Sequence, residues 1–141
     1  MLSVAAVVGL LTGLATIALA RQLRGEHWLY ALSLVVLPSF YAGFAWSTGA
    51  TGIGIREMLV GLPYLIGGPL LAWLRLRWTA VIVGVLWLAH GGYDLLHPQL
   101  FVNPGVPSWY PVFCAGVDVT VGFYLIGLAA GQPASRDLKP A

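Results

Sequence analysis

The sequence predicts an all-α integral membrane bundle of about five transmembrane helices, and three observations predict it. First, 59% of the residues are hydrophobic and only 9% are charged, where an ordinary soluble domain carries roughly 25% charge. So few charges cannot cover the surface of a soluble domain this small, so a bilayer must serve as its solvent. Second, five apolar stretches come near the ~20 helical residues needed to cross a hydrocarbon core. Third, the cations sort by loop, as set out below.

Residues 2–20 form the first span. No basic residue precedes it, so it reads as a span despite the Ala18-Leu19-Ala20 pattern of a cleavage site. Residues 28–48 form the second. A Gly/Thr-rich turn from Thr48 to Ile55 leads into the third, residues 58–74. There Pro63 and Gly67-Gly68-Pro69 are expected to kink or interrupt the helix. The fourth span, residues 78–97, follows tightly after Arg75-Leu76-Arg77. An uncharged loop, His97 to Ser108, leads to the fifth, residues 109–131. Residues 1–131 make one domain, and residues 132–141 read as a polar cytoplasmic tail.

Alternate loops share a side of the membrane. Arg21, Arg24, Arg75, Arg77, Arg136 and Lys139 fall together, and Arg56 falls opposite. The positive-inside rule makes the larger group cytoplasmic. The N-terminus is then outside and the C-terminus inside, as an odd number of spans requires, and the expected location is the inner (plasma) membrane as a multi-pass protein. The expected surroundings are membrane lipids. No basic run or nucleic-acid motif occurs, so nucleic acid is not an expected partner. The single Cys114 excludes an internal disulfide. Gly9 and Gly13, and Gly127 and Gly131, form G-x-x-x-G pairs that favour close helix packing and offer a face for homo-oligomer formation.

Charge inside a bilayer costs several kcal/mol or more, so an intramembrane ionisable group is a functional-site candidate by default. His90, Asp94 and His97 recur at i, i+4, i+7, which puts them within roughly 60° on one face of the fourth span. Asp118 lies in the fifth span with Cys114 one turn earlier, and Arg56-Glu57 opens the third. Asp118 falls roughly 13 Å into its helix and His90 roughly 10 Å before the end of its own. In antiparallel neighbours these depths are close. Glu57, His90, Asp94, His97 and Asp118 are therefore expected to converge in the non-cytoplasmic half. Tyr41, Trp46, Trp87, Tyr93, Trp109 and Tyr110 crowd the same half, as an interfacial belt or as the lining of a pocket for an apolar molecule.

Two imidazoles and three carboxylates form a ligand set suited to zinc, iron or manganese. The expected ligands are His90, Asp94 and His97, with Asp118 as a substitute. Glu57 is expected to act as base on a bound water and Asp118 to share the catalytic work.

Three pieces of the stretch from Thr51 to Tyr124 carry a family likeness. They are the Gly-rich turn Thr51-Gly52-Ile53-Gly54-Ile55-Arg56-Glu57, the helix from Trp87 to His97, and Phe113-Cys114-Ala115-Gly116-Val117-Asp118. This stretch resembles an uncharacterised family of small bacterial membrane proteins, a domain of unknown function with the pattern W-L-x-H-x-x-W-D-x-x-H-H. The chain departs from it with Tyr93 for the Trp and Pro98 for the second His of the pair. It also lacks a Pro after Asp118. The resemblance implies that Glu57, His90, Asp94, His97 and Asp118 work as one unit, and it assigns no activity.

The leading functional expectation is a metal-dependent hydrolase acting on a lipid or isoprenoid. The alternatives are a metal-free isomerase or cyclase with Asp94 and Asp118 as acid and base, a proton or cation transport protein, and a structural subunit.

Overall fold

The computed structural model describes residues 1–26, 28–74 and 78–131. All regular structure among them is helical: α1 Leu2–Gln22, α2 Leu29–Ser33, α3 Leu37–Ser47, α4 Thr51–Val60, α5 Leu62–Leu74, α6 Thr79–Leu100 and α7 Tyr110–Ala130. His27, Arg75, Arg77 and residues 132–141, with Arg136 and Lys139, lie outside the described residues.

Four helical stretches are long and apolar enough to cross a membrane, one of them α2 and α3 taken together. The α4–α5 pair, bent by 42°, makes a fifth. This composition fits a multi-pass membrane protein. Between α2 and α3 the ladder tightens to i→i−3 bonds, Val35 to Leu32 and Val36 to Ser33. Pro38, in the first turn of α3, has no N–H to continue the α-helical pattern.

The third stretch departs most from the sequence reading. The expected turn through Ile55 is helical, and α4 begins at Thr51, so Glu57 sits inside a helix rather than at its mouth. The turn is confined to residues 48–50, where Gly49 adopts a left-handed φ of 78°. Gly54 serves packing instead, because a side chain there would collide with Trp46. The break falls at Gly61, which Pro38 packs against, one residue before α5. Pro63 follows without an N–H to bridge it. Pro69 lies within α5, and the Gly67-Gly68-Pro69 run leaves that helix continuous. Likewise α6 passes through Pro98 to Leu100, because one lost ladder bond near a helix end does not stop it.

α6 packs along α7, α7 along α1, and α3 along α4. α1 buries Ala5, Gly9, Gly13, Ile17 and Ala20 and leaves its leucines and valines outward. A side chain at Gly9 would strike the Phe113 carbonyl, and one at Gly13 would strike Thr120. That small-residue pair is therefore used inside the chain, against α7.

Candidate metal centre

Three of the chain's five acidic side chains and two of its three histidines are gathered in one place. Glu57, His90, Asp94, His97 and Asp118 are the buried acids and histidines among the described residues. α4 supplies Glu57, α6 supplies His90, Asp94 and His97 at the expected spacing, and α7 supplies Asp118. Gly91 lets α7 approach here, since a Cβ on it would lie 3.1 Å from the Asp118 Cβ. Arg56 is exposed and stands apart from the cluster.

The five residues divide into two units. In the inner unit His90 Nδ1 lies 2.7 Å from Asp118 Oδ2 and 3.6 Å from Asp94 Oδ2. Tyr41 Oη donates to Asp94 Oδ1 at 2.8 Å. Asp94 Oδ2 is fully buried and has no hydrogen-bond donor among the described residues. Single ligand atoms from His90, Asp94 and Asp118 all fall within 4.8 Å of one another.

The outer unit is built around Glu57. His97 Nε2 lies 2.7 Å from Oε1, Tyr93 Oη donates to Oε2 at 2.5 Å, and Asn103 Nδ2 donates to Oε1 at 3.3 Å. His97 is only 2% exposed, although the Pro98 that follows it suggests a solvated helix end. It belongs with Glu57, and the group that meets metal-ligand spacing is His90, Asp94 and Asp118.

A cavity of about 10 Å³ is lined by one residue of each unit, Glu57 and His90, with Tyr41 and Tyr93, and reaches Gly61 and Tyr64 at the α4–α5 break. That volume is close to the room one water needs. The broken span thus borders the site. Beyond the outer unit, a recess of about 200 Å³ lies under the α6–α7 loop, and His97, Phe101, Asn103 and Ser108 line part of it.

Three residues complete the site that charge alone does not mark. Tyr93 lies within the His90–His97 stripe, three residues after His90, so helical spacing identifies it. Asn103 is the sole asparagine of the chain, and it stands in a mostly apolar loop. Tyr41 had only its place among the aromatics to suggest it. Of those aromatics, Tyr41, Trp87 and Tyr110 are buried, while Trp46 and Trp109 are exposed. The remaining described acid, Glu26, is at the other end of the bundle, where Tyr124 donates to it and Arg21 stands 3.9 Å away.

No family model, curated protein or solved structure matches the chain.

Proposed function

We propose that this is an integral membrane protein with a divalent-cation centre at His90, Asp94 and Asp118, and that it hydrolyses an apolar, lipid-like substrate there. The observation that carries the reading is the buried Asp94 Oδ2 with no donor, beside a second aspartate and a single imidazole. An unpartnered carboxylate oxygen in so apolar a setting is costly. No lysine or arginine is among the buried described residues. Glu57 and His97 can neutralise each other as an ion pair, with Tyr93 and Asn103 as further donors. Once a cation displaces the proton held between His90 and Asp118, the inner unit holds two carboxylates and one neutral imidazole, a charge of −2 that one divalent cation cancels.

The donor set fits. Tetrahedral coordination at about 2.0–2.2 Å places ligand atoms roughly 3.4 Å apart. The 3.6 Å His90–Asp94 spacing meets that, and the 2.7 Å His90–Asp118 spacing opens by less than an ångström. One nitrogen and two oxygen donors suit zinc, iron or manganese. The cation would supply Lewis acidity toward a water, and the cavity between His90 and Glu57 is where this chain leaves room for one. Glu57 faces that cavity and would take the water's proton, while His97 balances the charge of its carboxylate. The wall at Val60 and Tyr64 lies at the helix break, and Val60 is exposed. A substrate would approach there laterally, from the bilayer. Charge sorting supports a non-cytoplasmic location for this end of the bundle, and the resemblance to the family with the H-x-x-x-D-x-x-H helix belongs to the same reading.

The test is metal analysis of protein purified in detergent, followed by mass spectrometry of a membrane-lipid extract incubated with it. The expected result is one zinc, iron or manganese per chain, absent from His90→Ala, and lipid cleavage lost in Glu57→Gln. Absence of metal from the folded protein would remove the centre. Metal-loaded protein that leaves every lipid intact would remove hydrolysis. Cation or proton flux into liposomes that depends on Asp94 would replace hydrolysis with transport.

A further inference from the structure

Tyr41 and Tyr93 both touch the two units; Tyr93 bonds Glu57 and its ring tilts against His90, whereas Tyr41 hydrogen-bonds an aspartate of the inner unit while stacking on His97 of the outer one. The Tyr41 hydroxyl donates to Asp94 Oδ1 at 2.8 Å. Its ring stacks on His97, with centroids 3.9 Å apart and planes 22° from parallel. Its carbonyl accepts from Asn103 Nδ2 at 3.0 Å, and the same Asn103 nitrogen donates to Glu57. Tyr41 is only 1% exposed, and Tyr93 and Tyr110 pack edge-on against its ring. The hydroxyl is thus fixed in direction by a side chain that cannot swing away.

The contact to Asp94 decides which oxygen is free. With Oδ1 occupied by Tyr41, the unpartnered Oδ2 is the atom turned toward His90. A hydrogen bond to the far oxygen of a ligating carboxylate orients it, which is how outer partners tune metal sites. The ring face does a second job: it fixes the plane of His97 and so the direction of its Nε2 toward Glu57.

From this we infer that Tyr41 is the positioning residue that couples the cation centre to the Glu57–His97 pair. Cation occupancy of the inner unit is transmitted through Tyr41 to the outer one, and the coupling runs equally in both directions. The inference rests on the cation centre proposed above. It does not depend on the reaction.

Cobalt(II) titration followed by visible absorption tests it, on the wild-type chain, Tyr41→Phe and Tyr93→Phe. Tyr41→Phe keeps the ring stack and removes only the hydroxyl. It should weaken cobalt binding about 10–100-fold, the usual cost of losing such a partner, and shift the cobalt absorption bands. Tyr93→Phe removes a hydroxyl from Glu57 alone and should leave cobalt affinity within about threefold. In ¹⁵N-histidine-labelled protein, zinc should move the His97 ring signals of the wild type and leave those of Tyr41→Phe nearly still. A structural role alone would change the melting temperature of the apo protein without these effects. Equal cobalt affinity in wild type and Tyr41→Phe, or a zinc response of His97 that survives the substitution, would overturn the inference and leave the centre standing. A wild-type chain that binds no cobalt would overturn both.

Discussion

The two halves of the buried cluster use the same side-chain types and reach opposite outcomes. Around Glu57 there is one carboxylate with three hydrogen-bonding neighbours, so both of its oxygens are served. Around His90 there are two carboxylates, with the imidazole and the Tyr41 hydroxyl as their hydrogen-bonding neighbours, and one oxygen is left over. Buried polar groups in native proteins are nearly always satisfied, and an exception calls for a physical reason. A carboxylate with its full set of partners thus stands beside a unit that has one carboxylate oxygen more than its donors serve.

Substitutions can break that contrast at several strengths. Asp94→Asn keeps the shape and the Tyr41 contact but removes the charge, so zinc affinity should fall by more than 100-fold, as equilibrium dialysis would show. The folded apo protein should at the same time gain stability or stay unchanged, because an uncompensated carboxylate is gone. Glu57→Gln should do the reverse. It should cost roughly 1–3 kcal/mol of unfolding free energy by weakening charged hydrogen bonds, while zinc affinity changes by less than about tenfold. Acid should act on the inner unit in the same direction as Asp94→Asn. Protons and the cation compete for the same atoms of His90, Asp94 and Asp118, so zinc binding should weaken as pH falls from about 8 to 5, with protons released on binding detectable by calorimetry in buffers of different ionisation enthalpy. The smallest effect should come from Asn103→Ala. Its bond to Glu57 is long, at 3.3 Å, and its loss should cost about 1 kcal/mol in reversible unfolding with no change in zinc affinity.

Much of this arrangement was legible in the chain itself. The i, i+4, i+7 spacing from His90 to His97 needs only helical geometry, and His90 and Asp118 meet where the depth arithmetic placed them. Helix ends were harder. Gly52 and Gly54 read as turn residues, yet Gly54 is a packing contact for Trp46, because composition cannot tell a glycine needed for backbone freedom from one needed for closeness. Pro98 read as a helix stop for a similar reason, since its cost depends on where in the helix it falls. The partition into two units was not legible. His97 lies on the same stripe as His90 and Asp94, and only the position of α4 draws it to Glu57. Tyr41 was hidden furthest, because its hydroxyl acts on a residue 53 positions away and nothing local marks it. The Gly9–Gly13 pair shows the same limit: the motif signals close packing, and the fold supplies the partner, α7.

The most direct measurement is zinc stoichiometry by equilibrium dialysis for three proteins in parallel: wild type, Asp94→Asn and Glu57→Gln. The two-unit reading predicts one zinc per chain for wild type and Glu57→Gln and none for Asp94→Asn. Equal loss in both variants would mean that the five residues act as a single site, and a wild-type chain without zinc would mean that the inner unit is neutralised by protons alone.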